Sequence, residues 1–433
     1  MHSKNERRHA LGRVVAGTLL AGIAGCGGNS TTTYNAPNSV VVADFNGDGY
    51  DDLAVVSALI DTLNNSYESP GVLAVIMQEA SSPGKFAAST HYSSEGNPSG
   101  LAAADLTGSG VIDLVAANFN KGSVSVFLQN GKGQFQTALN FSTGGNPNDV
   151  QIADIDGDGR PDLIVADGSV NAYVQIMLQD PGNPGHFLAP TNLAGATLPA
   201  ATSGLSVAAY TVAVGDLNGD GKLDLAVTSF DSAGDNGNVR IYLQDPNHAG
   251  SFLPPIDIST PGEVRRVRIA DVNGDGKNDL IIGNEGPGAL DTAVVSGVMV
   301  LLNTTATGAT TPTFAAAVTY SVADPSTGYS VPPLEVAIGA LTDATYPDIV
   351  MCSSVPQGTG SISVFLHTPG KPGAFSAPMV NYTGLGNTVS CAIGDLNHDG
   401  LLDIATGDST GAAVMFQSKT APGTFSPPTL AGS

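Results

Sequence analysis

Short runs in which apolar and polar residues alternate recur along the whole chain. Ser123-Val-Ser-Val-Phe127, Asn238-Val-Arg-Ile-Tyr242 and Ser361-Ile-Ser-Val-Phe365 have period two, the pattern of a strand with two distinct faces. Each run ends in a polar residue, and a Gly/Pro turn then leads to a phenylalanine: Phe135, Phe252 and Phe375 here, with Phe86, Phe187, Phe314 and Phe425 closing four further copies. A second kind of segment is short and almost wholly apolar, as in Leu225-Ala-Val-Thr228 and Leu280-Ile-Ile-Gly283. Such runs suit strands covered on both sides. Each unit therefore predicts four strands: one before an Asp-rich loop, one after it, a third ending at Gln or its substitute, and a fourth starting at Phe. The units begin at residues 44, 105, 154, 216, 271, 340 and 395. Seven units of four strands with almost no helical periodicity predict an all-β, seven-bladed β-propeller with four-stranded antiparallel blades.

The loop between the first two strands carries the candidate chemistry. Asp216, Asn218, Asp220 and Asp224 occupy its positions 1, 3, 5 and 9, with Lys222 at 7 and Gly221 at 6. The same arrangement recurs at Asp44, Asn46, Asp48, Tyr50 and Asp52; at Asp154, Asp156, Asp158, Arg160 and Asp162; at Asp271, Asn273, Asp275, Lys277 and Asp279; and at Asp395, Asn397, Asp399, Leu401 and Asp403. Alternate oxygens on a tightly curled backbone, plus the main-chain carbonyl at position 7, supply most of the ligands that Ca²⁺ requires. Asn-Gly and Asp-Gly also make metal-free hairpin turns. Five loops that keep an oxygen at each of four positions argue for a ligand set, and about five structural Ca²⁺ sites are expected. Two copies are eroded: Asp105–Asp113 keeps two carboxylates, and Ala340–Asp348 lacks positions 1, 5 and 6. An EF-hand would need Glu at position 12 between helices, but that position holds Val55, Val165, Val227 or Ile282.

Composition fits this architecture, with 54 Gly and 27 Pro for turns and only 13% charged residues. The formal charge of −23 argues against nucleic acid as a partner. Bound calcium would offset part of that charge, so depletion of the metal is expected to loosen the ring.

The first 25 residues have a basic start, an apolar stretch from Val14 to Ile23 and a small-residue end, as a secretory signal does. The end, Ile23-Ala-Gly-Cys26, resembles the bacterial lipobox. That resemblance implies lipidation of Cys26, a flexible tether over residues 26–37 and anchorage to the cell envelope, with ordinary cleavage and secretion as the alternative. Cys352 and Cys391 fall on adjacent blades, where a disulfide is possible. Free buried thiols are the expectation, because Cys391 stands where other units place Val150, Val212 or Val336.

The repeat from residue 38 to the end, with its D-x-[DN]-G-D-G-x-x-D loops, resembles the FG-GAP/VCBS repeat of integrin α-subunit propellers and many bacterial secreted proteins. That resemblance implies metal loops on a lower face and ligands on the upper one, built by second-to-third strand links and by links between units. The longest are 57–71, 229–238 and 284–297 among the former, and 191–210 and 323–333 among the latter. They offer Asp61, Asn64, Asn65, Tyr67 and Glu68, then Phe230, Asp231 and Asp235, then Glu285 and Asp291, with Tyr210 and Tyr329. Tyr67, Glu68, Phe230, Asp231, Glu285, Asp291 and Tyr329 are the candidate ligand contacts. Arg265, Arg266 and Arg268 form a basic cluster, expected to pair with acids of neighbouring blades. No catalytic constellation is recognised. The reading is a calcium-stabilised binding or adhesion module for glycans or protein partners. A lyase-like polysaccharide-degrading enzyme and a purely structural envelope protein are the alternatives.

Overall fold

The computed structural model describes residues 32–61, 70–169, 174–193, 207–231, 236–286, 296–322, 331–342, 345–354, 360–382, 388–408 and 411–432. They form seven four-stranded sheets, each built from consecutive strands paired antiparallel in chain order. This is the seven-bladed β-propeller that the periodicity predicts. Blade 1 is typical: its strands run Thr32–Ala43, Asp52–Asp61, Val72–Ile76 and Thr90–Ser93. Besides strands, the described residues include one short 3₁₀ turn, Phe119–Lys121. No helix among them is long and apolar enough to cross a membrane.

The near-continuous apolar second strands are explained by where they lie. Asp162–Asp167 is buried at every residue, because one face meets the preceding blade and the other the following blade. Seven apolar clusters fill the seven gaps between blades. One of them packs Val239, Ile241 and Leu243 of blade 4 against Val264, Val267 and Leu280 of blade 5. Each fully buried Val, Leu or Ile contributes roughly 1.5–3 kcal/mol, so the blades adhere through an interface much like a core.

The ring closes by the same packing, without exchange of strands. Val40, Leu53, Val55 and Ile76 of blade 1 meet Leu396, Ala405 and Val414 of blade 7. Asp51 Oδ2 accepts a hydrogen bond from the Asp395 N–H at 2.9 Å across this seam. The rings of Tyr50 and His398 stack obliquely beside it, 4.3 Å apart. Blade 7 supplies its own fourth strand, Thr429–Leu430.

Four expectations change. Cys352 and Cys391 are joined as a disulfide, with Cα atoms 6.1 Å apart; the second strand of blade 6 and the first of blade 7 bring them face to face within one apolar cluster. The first strand of blade 1 starts at Thr32, which pairs with Asp61, so part of the expected tether is strand. The recurrent Phe does not open the fourth strand. It closes the preceding turn through an isolated bridge such as Gln78↔Phe86, and pairing resumes at Thr90. In blade 4 the expected link 229–238 is largely ladder, with Ser229↔Asn238 and Phe230↔Gly237 in register, and Tyr210 lies within the first strand, Val207–Gly215.

Candidate metal centres

Antiparallel order puts all seven first-to-second strand loops at one rim, together with the third-to-fourth strand turns. In each intact loop the position-1 carboxylate gathers the backbone around it. Asp216 accepts N–H groups from Gly219 at 2.6 Å, Asp220 at 3.2 Å and Gly221 at 2.8 Å, and Asp271 repeats the set with Gly274, Asp275 and Gly276. Position 5 then accepts the N–H of position 7, as Asp48 does from Tyr50, Asp158 from Arg160, Asp220 from Lys222, Asp275 from Lys277 and Asp399 from Leu401. That curl needs positive φ at positions 4 and 6, which Gly47 (74°) and Gly49 (86°) adopt without a Cβ penalty. In the fifth intact loop His398 takes the same conformation with φ 55°.

Position 9 has a role that the ligand pattern does not reveal. Asp224 is fully buried, and its Oδ2 accepts the N–H of Leu217 at 2.8 Å while Oδ1 accepts that of Gln244 at 2.8 Å. Asp52, Asp113, Asp162, Asp279, Asp348 and Asp403 do the same in their own blades. The Gln at the end of the third strand completes the lock. Gln244 Nε2 reaches the Ile155 carbonyl in blade 3, Gln179 reaches Leu106 in blade 2, and Asn303 reaches Leu217 in blade 4. In blades 3, 4 and 5 this lock ties loop, third strand and neighbouring blade together, while Gln78, Gln129 and Gln417 reach back to their own loops. The sequence held the signal, since position 9 is the one loop position that is Asp in all seven units, eroded copies included.

The eroded loops are satisfied differently. Burial acts to raise the Asp105 carboxyl, but the N–H groups of Gly110, Ser109, Thr107 and Gly108 together carry it below the ordinary range. The Thr107 and Ser109 hydroxyls bond each other at 2.8 Å. In blade 6, Asp348 bonds the N–H groups of Leu341 and Thr342, and His367 Nδ1 lies 3.1 Å from its other oxygen.

At position 9 burial raises the carboxyl in intact loops and in the eroded blade 2 loop alike, Asp113 included. Burial pushes Asp52 and Asp403 up to about 7 and Asp162, Asp224 and Asp279 up to about 6, against two backbone N–H donors each and with loop carboxylates adding to the rise. The donor set of the intact loops suits a hard cation. In blade 3 one oxygen from each of Asp154, Asp156 and Asp162 lies within 4.8 Å of the others. In blade 7 the Asn397 Oδ1 is buried with no hydrogen-bond partner. The blade 3 loop fits an oxygen-liganded divalent ion, for which Asp154, Asp156 and Asp162 would be ligands, and the other intact loops offer oxygen-bearing residues at the same positions 1, 3, 5 and 9.

The FG-GAP-like repeat family matches residues 105–165, 154–227 and 216–282, and the FG-GAP repeat matches residues 36–58. Together with seven consecutive four-stranded blades, these matches decide the family. The chain is an FG-GAP repeat β-propeller. A similar fold is seen in the crystal structure of a protein from Lactobacillus plantarum, 13% identical, with a TM-score of 0.50, the match covering 92% of this chain and 95% of that one. No curated protein matches.

Tyr67, Glu68, Asp291 and Tyr329, with Asn64, Asn65 and Asp235, lie outside the described residues. Asp61, Phe230 and Asp231 end second strands, with their side chains likewise outside the description. Glu285 is described, and it serves an internal ion network. It pairs with Arg265, whose guanidinium also lies 3.5 Å from Glu263 and 5.0 Å from the centroid of the Tyr210 ring. Burial pushes Glu285 up to about 7, although Arg265 pulls it down. Arg266 and Arg268 both bind Glu335 of blade 6, at 3.1 and 2.6 Å. Arg266 and Arg268 thus pair with an acid of the neighbouring blade, as expected, whereas Arg265 pairs with acids of its own blade.

Proposed function

We propose that this propeller is a calcium-stabilised binding module of the bacterial envelope, which presents its variable rim to a glycan or protein partner and is held at the membrane through a lipidated Cys26. The observation that carries this reading is the difference between the two rims. One repeats the same carboxylate lock seven times, whereas the other is built from links that differ in length and residue from blade to blade. A rigid scaffold with one uniform rim and one diversified rim is suited to recognition. The calcium reading is supported by the oxygens that recur at four loop positions and by the approach of Asp154, Asp156 and Asp162 in blade 3. The anchor reading is supported by the Ile23-Ala-Gly-Cys26 stretch alone.

The test is a glycan array probed with calcium-loaded protein, each hit then being incubated with it and examined for new reducing or unsaturated ends. Binding without cleavage is the expected result. Cleavage would make the propeller an enzyme, and silence towards both glycans and envelope proteins would leave a structural component. For the anchor, Cys26→Ser should move the protein from the membrane fraction to the soluble one, and retention in the membrane would remove that claim.

A further inference from the structure

Around the metal-loop rim, the turn between the third and fourth strands of each blade leans over the loop of the preceding blade. A Cβ on Gly133 would lie 3.4 Å from Asn46, one on Gly250 3.0 Å from Asp156 and one on Gly373 3.3 Å from Asn273. In blade 5 this turn is longer than the others. Asn303 and Phe314 are eleven residues apart, against eight for Gln244 and Phe252 or His367 and Phe375. The additional length makes a specific contact. The Gly308 N–H donates to the Asn218 carbonyl at 2.7 Å, and Asn218 Nδ2 donates to the Ala309 carbonyl at 3.2 Å. The long turn is itself braced by Thr305, whose hydroxyl bonds both backbone groups of Thr313.

Asn218 is consequently buried to 6% exposure, while Asn46, Asp156, Asn273 and Asn397 at the same loop position remain partly exposed. The Asn218 oxygen accepts the Asp220 N–H at 3.0 Å, as Asn46 and Asn273 do in their own loops, and its amide nitrogen is shared between the Ala309 carbonyl and Asp220 Oδ2, the latter at 3.3 Å. Among the described residues, no other third-to-fourth turn hydrogen-bonds position 3 of the loop it covers.

We infer that residues 303–314 are a clamp, by which blade 5 pins Asn218 and shuts the blade 4 loop, so that this one site releases its ion far more slowly than the others. The inference rests on the calcium reading given above. An ion leaving this loop must wait for two cross-blade hydrogen bonds to open, and two bonds of ordinary strength correspond to release about tenfold slower or more.

The experiment mixes calcium-loaded protein with excess chelator and follows release with time, after counting bound calcium by elemental mass spectrometry. The wild type should show a slow phase of about one equivalent. Deleting Gly308, Ala309 and Thr310, which brings the turn to the common length, should merge that phase with the rest. Asn218→Ser retains a ligand oxygen and loses the amide nitrogen, and should also accelerate the slow phase; Asn273→Ser in blade 5 should leave it unaltered. Calcium bound in the expected number but released in a single phase, or equal effects of the two Asn→Ser changes, would overturn the clamp alone. Absence of bound calcium in the wild type would overturn the calcium reading and the clamp with it.

Discussion

At the scale of single residues, the loop positions divide between a candidate ligand set and a structural lock, and substitution separates the two. Asp348→Ala removes the acceptor for the N–H groups of Leu341, Thr342 and His367 in a blade whose loop lacks a ligand set. Leaving them unsatisfied costs about 2–4 kcal/mol. Denaturation should show that loss equally in calcium and in chelator. Asp220→Ala, in contrast, should lower calcium stoichiometry by one and destabilise the protein only when calcium is present. An unchanged stoichiometry would mean that this loop is a turn and nothing more. Glu285 offers a test by pH. Its folded-state value of about 7 lies above the 4.5 of an ordinary glutamate, so between those values the folded chain binds a proton that the unfolded chain does not. Its contribution to stability therefore grows as pH falls from about 8 to about 5 and is lost as pH rises through 7. Stability measured across that range should favour wild type over Glu285→Gln progressively more towards acid, and parallel curves would refute it.

At the scale of elements, second strands are apolar throughout because each is covered by two neighbours, and every blade interface is filled by its own cluster. The disulfide strengthens one of these interfaces covalently. Its cysteines are 39 residues apart, which in the chain-entropy account corresponds to about 4 kcal/mol of restricted unfolded chain. Cys352→Ala combined with Cys391→Ala should lower unfolding free energy by about that amount, and reductant should then have no further effect. Loss of stability much below 1 kcal/mol would show that apolar packing alone holds blades 6 and 7 together.

At the scale of the whole molecule, the ring depends on a seam that no shared strand crosses. Blade 1 and blade 7 meet through the cluster around Val40 and Leu396, the Asp51–Asp395 hydrogen bond and the Tyr50–His398 ring contact. Asp51→Ala should raise hydrogen exchange in residues 394–397 while leaving the blade 3–4 interface unaffected. Uniform exchange around the ring would mean that the seam is no weaker than its neighbours.

Much of this was legible in one dimension. Period-two runs, the recurring loop and the seven recurrent Phe residues determined strand number and blade number, because each depends on residues close in sequence. The tertiary structure decided what depends on residues far apart. Cys352 and Cys391 occupy apolar strand positions, which by themselves suit free thiols; only the approach of two blades made them a pair. Glu285 reads from the sequence as a candidate ligand contact, and the structure sets Arg265 beside it, with Tyr210 under the guanidinium. Position 9 read as one more ligand, and its burial beneath the N–H groups of the loop and the third strand showed it also to be the lock. Local spacing specifies which oxygens a loop can offer, and the packing of neighbouring blades specifies which of them are already engaged.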